Sequence, residues 1–325
     1  MEIAVSVIVP IYKVRNYIER CAQSLMLQTL SNVEFIFVND ATPDDSVDIL
    51  RRVLQQYPDR LAKIVEHDCN KGLPAARNTG LKEASGEYIY HCDSDDYIEC
   101  SMLEDMYTTA RQKNLDIVYC DYYLTFIKNE KLIHNREYKD IDGFVKEGLL
   151  GGQIKYNVWN KIIKRSLYVD NTISFPEGYA MGEDMTIIRL ASRAHTVGFV
   201  PKAYYHYNKT NDNAYSIHVT DRLLNDVKYN VALTEKYLAD QGERFKEDLE
   251  YFKINTKLPF LISEDKALHE LWRSMWPETN PYIIKNPNHS CRIKILELAA
   301  RFKLDFVLQI YYRVVHKFVY GIIYK

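Results

Sequence analysis

The cysteines of this chain form no pair with metal or redox spacing. The six stand at 21, 69, 92, 100, 120 and 291, with no CxxC and no Cys/His cluster. That excludes a zinc module and a thioredoxin-like site. Scattered free cysteines behave as small hydrophobes, and the expected compartment is the cytosol. Charge of one sign is also lacking. Forty-two Lys and Arg face 44 Asp and Glu, a formal net charge of −2, so composition gives no reason to expect a nucleic-acid partner. The start, Met1-Glu2-Ile3-Ala4, has no basic stretch before its apolar run, so no secretory signal is expected. There is no internal repeat and no low-complexity linker.

What is present is a globular composition, 47% hydrophobic and 26% charged over 325 residues. That suffices for one large α/β domain with an appendage, or for two domains. Tyrosine dominates the aromatics, 26 against 12 Phe. It suits carbohydrate-facing surfaces, interfaces and ordinary cores alike.

The first third alternates strand and helix signals. Apolar, β-branched runs at 5–11, 33–38, 61–67 and 88–92 read as buried strands. Helical spacing at 14–27, 74–83 and 101–113, and a capped helix ending at Tyr57, separate and follow them. This alternation predicts a largely parallel sheet with helices on both faces. Past residue 115 a hairpin is expected around 128–130, then a helix at 141–150, strands at 158–163 and 196–207, and a helix at 185–194. From about 219 the pattern is helical.

Asp93-Ser94-Asp95-Asp96 follows the fourth strand, which puts three carboxylates at the C-terminal edge of the sheet, where open α/β sheets bind ligands. Clustered carboxylates repel, and a divalent cation holding a phosphorylated ligand relieves this. The same run also suits a solvated turn capping the next helix. Asp40 ends the second strand at the same edge. Asp44, Asp45 and Ser46 supply caps of their own, which leaves Asp40 free to accept from an imide N–H such as that of uracil. The loop Asn70 to Gly80 follows the third strand, with Gly72 for close approach, Pro74 for a first helical turn, and Lys71 and Arg77 for positive charge.

These pieces occur in an order that resembles the family 2 glycosyltransferases, inverting nucleotide-sugar transferases with the GT-A fold. They are Ser6-Val7-Ile8-Val9-Pro10-Ile11-Tyr12, Asn39-Asp40 with Asp44-Asp45-Ser46, the Asn70-to-Gly80 loop and Asp93-Ser94-Asp95-Asp96. Val158-Trp159-Asn160-Lys161, Phe175-Pro176-Glu177-Gly178 and Gly182-Glu183-Asp184-Met185 follow. The set covers roughly residues 1 to 210.

By this resemblance, Pro10, Tyr12 and Asp40 wall the nucleotide-base pocket, and Arg77 and Lys71 are further nucleotide contacts. Asp93-Ser94-Asp95 matches the DxD motif. Asp93 faces the ribose or the metal, and Asp95 ligates the Mg²⁺ or Mn²⁺ that bridges the donor diphosphate. Asp96 shapes the loop or caps the following helix. Glu183-Asp184 matches the ED motif, with Asp184 the general base. Trp159 is either acceptor wall or core. The implied partners are a nucleotide-diphosphate sugar, a UDP-sugar by preference, and a glycan or lipid-linked glycan acceptor in surface-glycan synthesis. The alternative is a non-catalytic nucleotide-sugar or glycan-binding protein that kept the fold.

The chain departs from the family in places. Ala41-Thr42-Pro43 stands where many relatives have Gly-Ser-Thr. Tyr205-His206-Tyr207-Asn208 lacks the usual arginine, for which His206 or Lys209 are the substitutes to test. Gln-x-x-Arg-Trp is absent, which argues against a processive synthase. Pro10-Ile11-Tyr12-Lys13 replaces the glycine-rich loop that a nucleotidyltransferase needs.

The expected division is a GT-A domain over 1–215 and a helical region over 216–325 with a basic amphipathic end. In 292–325, Arg313, His316 and Lys317 interrupt the apolar run too closely for a spanning helix. Two alternatives remain there. One is peripheral contact with an anionic membrane, at the inner face of the cytoplasmic membrane; the other is packing against the domain or a dimer partner.

Overall fold

The computed structural model describes residues 2–211 and 220–315. The chain divides into two compact units, Met1–Phe144 with Tyr156–Tyr237, and Val145–Lys155 with Leu238–Lys325.

Among the described residues the first unit carries a nine-stranded sheet. Its strands are β1 (Val5–Ile11), β2 (Val33–Asn39), β3 (Leu61–Glu66), β4 (Tyr88–His91), β5 (Tyr97–Ile98), β6 (Ile117–Thr125), β7 (Glu130–Ile133), β8 (Lys161–Lys164) and β9 (Val197–Asn208). The order is β3-β2-β1-β4-β8-β6-β9-β5, with β7 beside β6. The first four strands are parallel, Val5 lying opposite Val33 on one side and Tyr88 on the other. β8 then runs antiparallel between β4 and β6, and β9 runs parallel to β6 across an irregularity at Asp121. The sheet is therefore mixed, with its parallel half where the sequence pattern put it.

Period-2 alternation divides β1 between two helical layers. Val5, Val7, Val9 and Ile11 join a core with α1 (Ile18–Met26), α2 (Ser46–Leu54) and α4 (Met102–Lys113). Ile8 faces α3 (Leu73–Glu83), which approaches so closely that a Cβ on Gly80 would lie 2.3 Å from Ile8 Cγ2. Proline is rare in central strands because it lacks the N–H that a ladder uses. Pro10 is tolerated because pairing with β4 ends at Ile8 and His91.

Two differences from expectation bear on the hairpin and the acidic turn. The returning strand of the hairpin is short, Glu130–Ile133. The two-residue β5 was not expected; it pairs with β9 and ties the Asp93–Asp96 turn to the far side of the sheet.

The second unit is helical, with helices Lys246–Lys257, Lys266–Ser274, Cys291–Arg301 and Asp305–Tyr311. Trp272, Phe252, Ile254, Ile283 and Leu308 are fully buried in it. Lys257 is buried too. Its Nζ donates to the carbonyls of Met275 and Trp276 and lies 4.3 Å from the centre of the Trp272 ring. The single amphipathic helix expected from 292 is two helices, broken where Lys303 takes a left-handed φ of 58°. Residues 316–325, which complete that segment, lie outside the described residues.

Candidate active site

Four parallel strands ending on one edge deliver the loops that build the site. The loop after β1 is fastened to the loop after β2. The Lys13 amide donates to Thr42 Oγ1 (2.8 Å), that of Val14 to Ser46 Oγ (3.2 Å) and that of Arg15 to Asp44 Oδ2 (3.2 Å). Burial raises the Asp44 pKa, but the donors Ser46 and Thr42 and two amides outweigh it and hold the carboxyl below its usual range. Lys13 and Ala41, one on each loop, adopt left-handed φ of 56° and 52°. Non-glycine residues pay of order 1 kcal/mol for this, and such strain gathers at ligand-binding edges. Tyr12 is 41% exposed at this edge, while Pro10 is buried behind it.

Asp40 is not free, contrary to the sequence argument. Its Oδ1 accepts from the Lys71 amide (2.7 Å) and its Oδ2 from the Gly72 amide (2.8 Å). His67 Nδ1 lies 2.7 Å from Oδ1, and His67 Nε2 lies 2.9 Å from Thr79 Oγ1. Asp44 accepts from the Ser46 amide that opens α2, as expected of a cap, and Asp44 and Ser46 also fasten the two loops, while Asp40 fixes the entry to α3. Gly72 makes the turn with φ 88°, a conformation that suits glycine. The Lys71 side chain is exposed.

The acidic turn divides its members. Asp96 is buried; it accepts from Tyr205 Oη (2.5 Å) and the Asn208 amide (2.7 Å), which binds the turn to β9. Ser94 is also buried. Asp95 is half-buried, and its Oδ2 accepts from Asn211 Nδ2 (2.8 Å). Burial first, then the nearby Asp93 charge, raise its pKa. Asp93 Oδ1 accepts from Arg77 Nη2 (3.0 Å).

Arg77 is the centre of the site. It is 1% exposed, and its Nη1 donates to Asp184 Oδ1 (2.6 Å) and Glu183 Oε1 (3.2 Å) while Nη2 serves Asp93. One guanidinium thus joins the DxD-like and ED-like segments. The sequence argument read Arg77 as a nucleotide contact; here it is enclosed by carboxylates, 5.2 Å over the Phe175 ring. Burial pushes the Glu183 carboxyl up, its neighbour Asp184 adds to this, and Arg77 opposes it. Asp184 is also raised by burial against Arg77. The Asp184 side chain is 26% exposed and that of Glu183 10%, so Asp184 is the better placed to meet a ligand.

Several supports were given no role by the sequence, although Asn78 and Lys161 lie in motifs quoted from it. Asn78 of α3 donates to the Phe175 carbonyl and Glu177 Oε1 and accepts from the Phe175 amide, which seats the Phe175–Gly178 loop. Helix Asp221–Ala239 holds the approach to Glu183. Asn230 Nδ2 donates to the carbonyls of Tyr179 and Met181, and Asp226 accepts from the Met181 amide. Lys161 is buried and donates to the Asn157 carbonyl (2.6 Å) and Asn160 Oδ1 (2.8 Å). Burial lowers its pKa to about 7, with Asp184 opposing.

Trp159 is core: it is 6% exposed and stacked on Tyr205 at 4.1 Å. His206 is packed within the sheet, its ring stacked on Tyr97 and Tyr123 and its nitrogens on Glu130 and Glu99. Lys209 is exposed, with its Nζ over the Tyr207 ring.

Among the described residues no cluster of three or more ligating side chains converges on a point. Asp93 and Asp95 each keep one carboxylate oxygen that takes no hydrogen bond from another residue among those described. Mg²⁺ is held elsewhere by one or two carboxylates with substrate phosphates and water, and this pair fits that pattern.

The family model for glycosyl transferase family 2 matches residues 6–181. The uncharacterized glycosyltransferase EpsJ of Bacillus subtilis is 32% identical over 273 residues, 80% of this chain and 77% of that protein. The minor teichoic acid biosynthesis protein GgaB of B. subtilis is 28% identical over 80% of this chain and 28% of its own length. Among solved structures, S. aureus TarS 1–349 in complex with UDP superposes with a TM-score of 0.67 at 19% identity, covering 96% of this chain and 91% of that one.

Proposed function

The chain belongs to glycosyltransferase family 2, and on that premise we propose that it moves one sugar from a UDP-sugar to a hydroxyl of a lipid-linked or polysaccharide acceptor, at the inner face of the cytoplasmic membrane. One observation carries the reading. Carboxylates far apart in the chain, Asp93 and Glu183-Asp184, meet on the buried Arg77 at the ligand-binding edge of the sheet. Relatives that include a teichoic acid biosynthesis protein support the acceptor class, and a GT-A neighbour bound to UDP supports the base.

In this reading Tyr12 and Pro10 border the base, and Asp40 sets the loop of Lys71 and Gly72 beneath it. Asp93 and Asp95 would hold Mg²⁺ or Mn²⁺, which when bound would neutralise the charge growing on the leaving diphosphate. Asp184 accepts the proton of the acceptor hydroxyl. The oxygen bonds to the anomeric carbon as the bond from that carbon to the diphosphate oxygen breaks, and direct displacement inverts the configuration. Burial raises the Asp184 pKa, which makes its carboxylate a stronger base than an exposed one. Glu183, less exposed, orients Arg77.

The test is Asp184→Asn. General-base catalysis is worth about 10²–10⁴, so turnover should fall at least a hundredfold while UDP binding, read by calorimetry, is kept. Turnover at the wild-type rate refutes the assignment.

A further inference from the structure

Exposed large apolar side chains concentrate in one stretch of the second unit. Ile295 (60%), Phe302 (64%), Leu304, Phe306 (60%), Ile310 and Val314 all stand exposed within 295–314. Helix Asp305–Tyr311 is apolar on two sides. Leu308 is fully buried and secures the helix to its unit, while Phe306, Ile310 and, one turn on, Val314 recur every four residues along an outer face. Single exposed hydrophobes are ordinary, but a row of them marks an interaction surface.

The same stretch is basic. Arg292, Lys294, Arg301, Lys303, Arg313, Lys317 and Lys325 face only Glu297 and Asp305 over 292–325. Both acids are already engaged. Glu297 is fully buried beside His289, and Asp305 accepts from Arg273 (2.9 Å). Arg301, Phe302, Lys303 and Leu304 are consecutive and all exposed, so charge and apolar bulk share one surface. Arg313 is paired with Glu264 (2.7 Å), so the positive charge described on the outer face is that of the exposed Arg301 and Lys303, on a chain whose net charge is −2.

We propose that this face docks on an anionic phospholipid surface, with Phe302, Phe306 and Ile310 entering the acyl boundary and Arg301 and Lys303 at the headgroups. Charge complementarity selects the occupant. A second copy of the chain would set one basic face against another. No helix among the described residues is long and apolar enough to cross a membrane, so the contact lies on the surface. The inference stands apart from the transfer chemistry, and its test does not use activity.

The full chain is sedimented with vesicles of phosphatidylcholine alone and of phosphatidylcholine with phosphatidylglycerol. Binding should require the anionic lipid and weaken as salt rises. Phe302→Ser with Phe306→Ser and Ile310→Ser should lose at least tenfold in vesicle affinity. Arg301→Gln with Lys303→Gln should lose roughly tenfold or more, at about fivefold per basic side chain. All five side chains are exposed, so thermal unfolding should not move. Three results overturn the proposal. They are wild-type protein that ignores anionic vesicles, both variants binding like wild type, and a lipid-free dimer that the triple variant dissolves.

Discussion

Replacing Arg77 by Met removes the one guanidinium that Asp93, Glu183 and Asp184 share. Arg77 is 1% exposed, so water does not take its place. Cutting one partner from a buried ion pair costs about 3–5 kcal/mol, because the remaining charge is stranded. Here several carboxylates are stranded together, which puts Arg77→Met near the top of that range. A domain is stable by about 5–15 kcal/mol in all, so urea unfolding should show the midpoint falling by a large fraction. Arg77→Lys keeps the charge and loses the fork. Two terminal nitrogens now reach three carboxylates at 2.6–3.2 Å, and a single ammonium on a shorter stem does not span them. Its loss should be intermediate, about 1–3 kcal/mol.

A double-mutant cycle separates this account from a simple packing loss. Asp184→Asn in the Arg77→Met background removes one of the stranded charges. The pair should cost about 1–2 kcal/mol less than the sum of the single changes, the size expected for groups in direct contact. A packing effect predicts additive losses. Strict additivity, or Arg77→Met unfolding at the wild-type urea concentration, refutes the hub. If Arg77→Met does not fold, the Arg77→Lys series carries the same comparison.

Lys257 gives a pH prediction in the second unit. Burial lowers its folded pKa to about 8, from the ordinary lysine value of 10.5. The unfolded chain therefore holds the extra proton between those values, and stability rises with pH across that window by up to about 3 kcal/mol. Lys257→Met should flatten this rise, and parallel stability–pH curves for the two proteins refute it. Asn230→Ala frees the Tyr179 and Met181 carbonyls that hold the approach to Glu183. It should lower kcat about tenfold with donor KM unchanged, since losing buried hydrogen bonds costs about 1–3 kcal/mol. A loss of stability with kcat intact refutes the positioning role.

The parallel half of the sheet was legible because strands buried on both faces read as continuous apolar runs. β5 escaped because two residues carry no period. The break at Lys303 escaped because the apolar pattern runs through it. The site was legible as a set of carboxylates, but not in its wiring. Charged residues are exposed by default, so Arg77 reads as a ligand contact until its partner 107 residues away is seen. Asp40 was misread by a local rule. Caps were assigned to the nearest acids, whereas its true donors, the Lys71 and Gly72 amides, arrive from beyond the next strand. Trp159 had two readings because a stacking aromatic looks the same in a core and on a sugar-binding wall.

That wiring bears on where positive charge for a diphosphate can come from. The N-terminus of α3 is the expected anion site of such a fold, and the two amides that lead into it, of Lys71 and Gly72, are already given to Asp40. Arg77 is spent on three carboxylates, and Lys161 is buried with a pKa of only about 7. His206, a candidate substitute for the missing arginine, is committed to Glu99 and Glu130. Among the described residues the ammonium groups left at this edge, Lys13, Lys71 and Lys209, are exposed and screened by water. A diphosphate brought beside Asp93, Asp95 and Asp184 would thus meet more negative charge than positive. A divalent cation held by Asp93 and Asp95, as proposed, would reverse that balance. It would also neutralise Asp95, a half-buried carboxylate whose side-chain partner among the described residues is the neutral amide of Asn211.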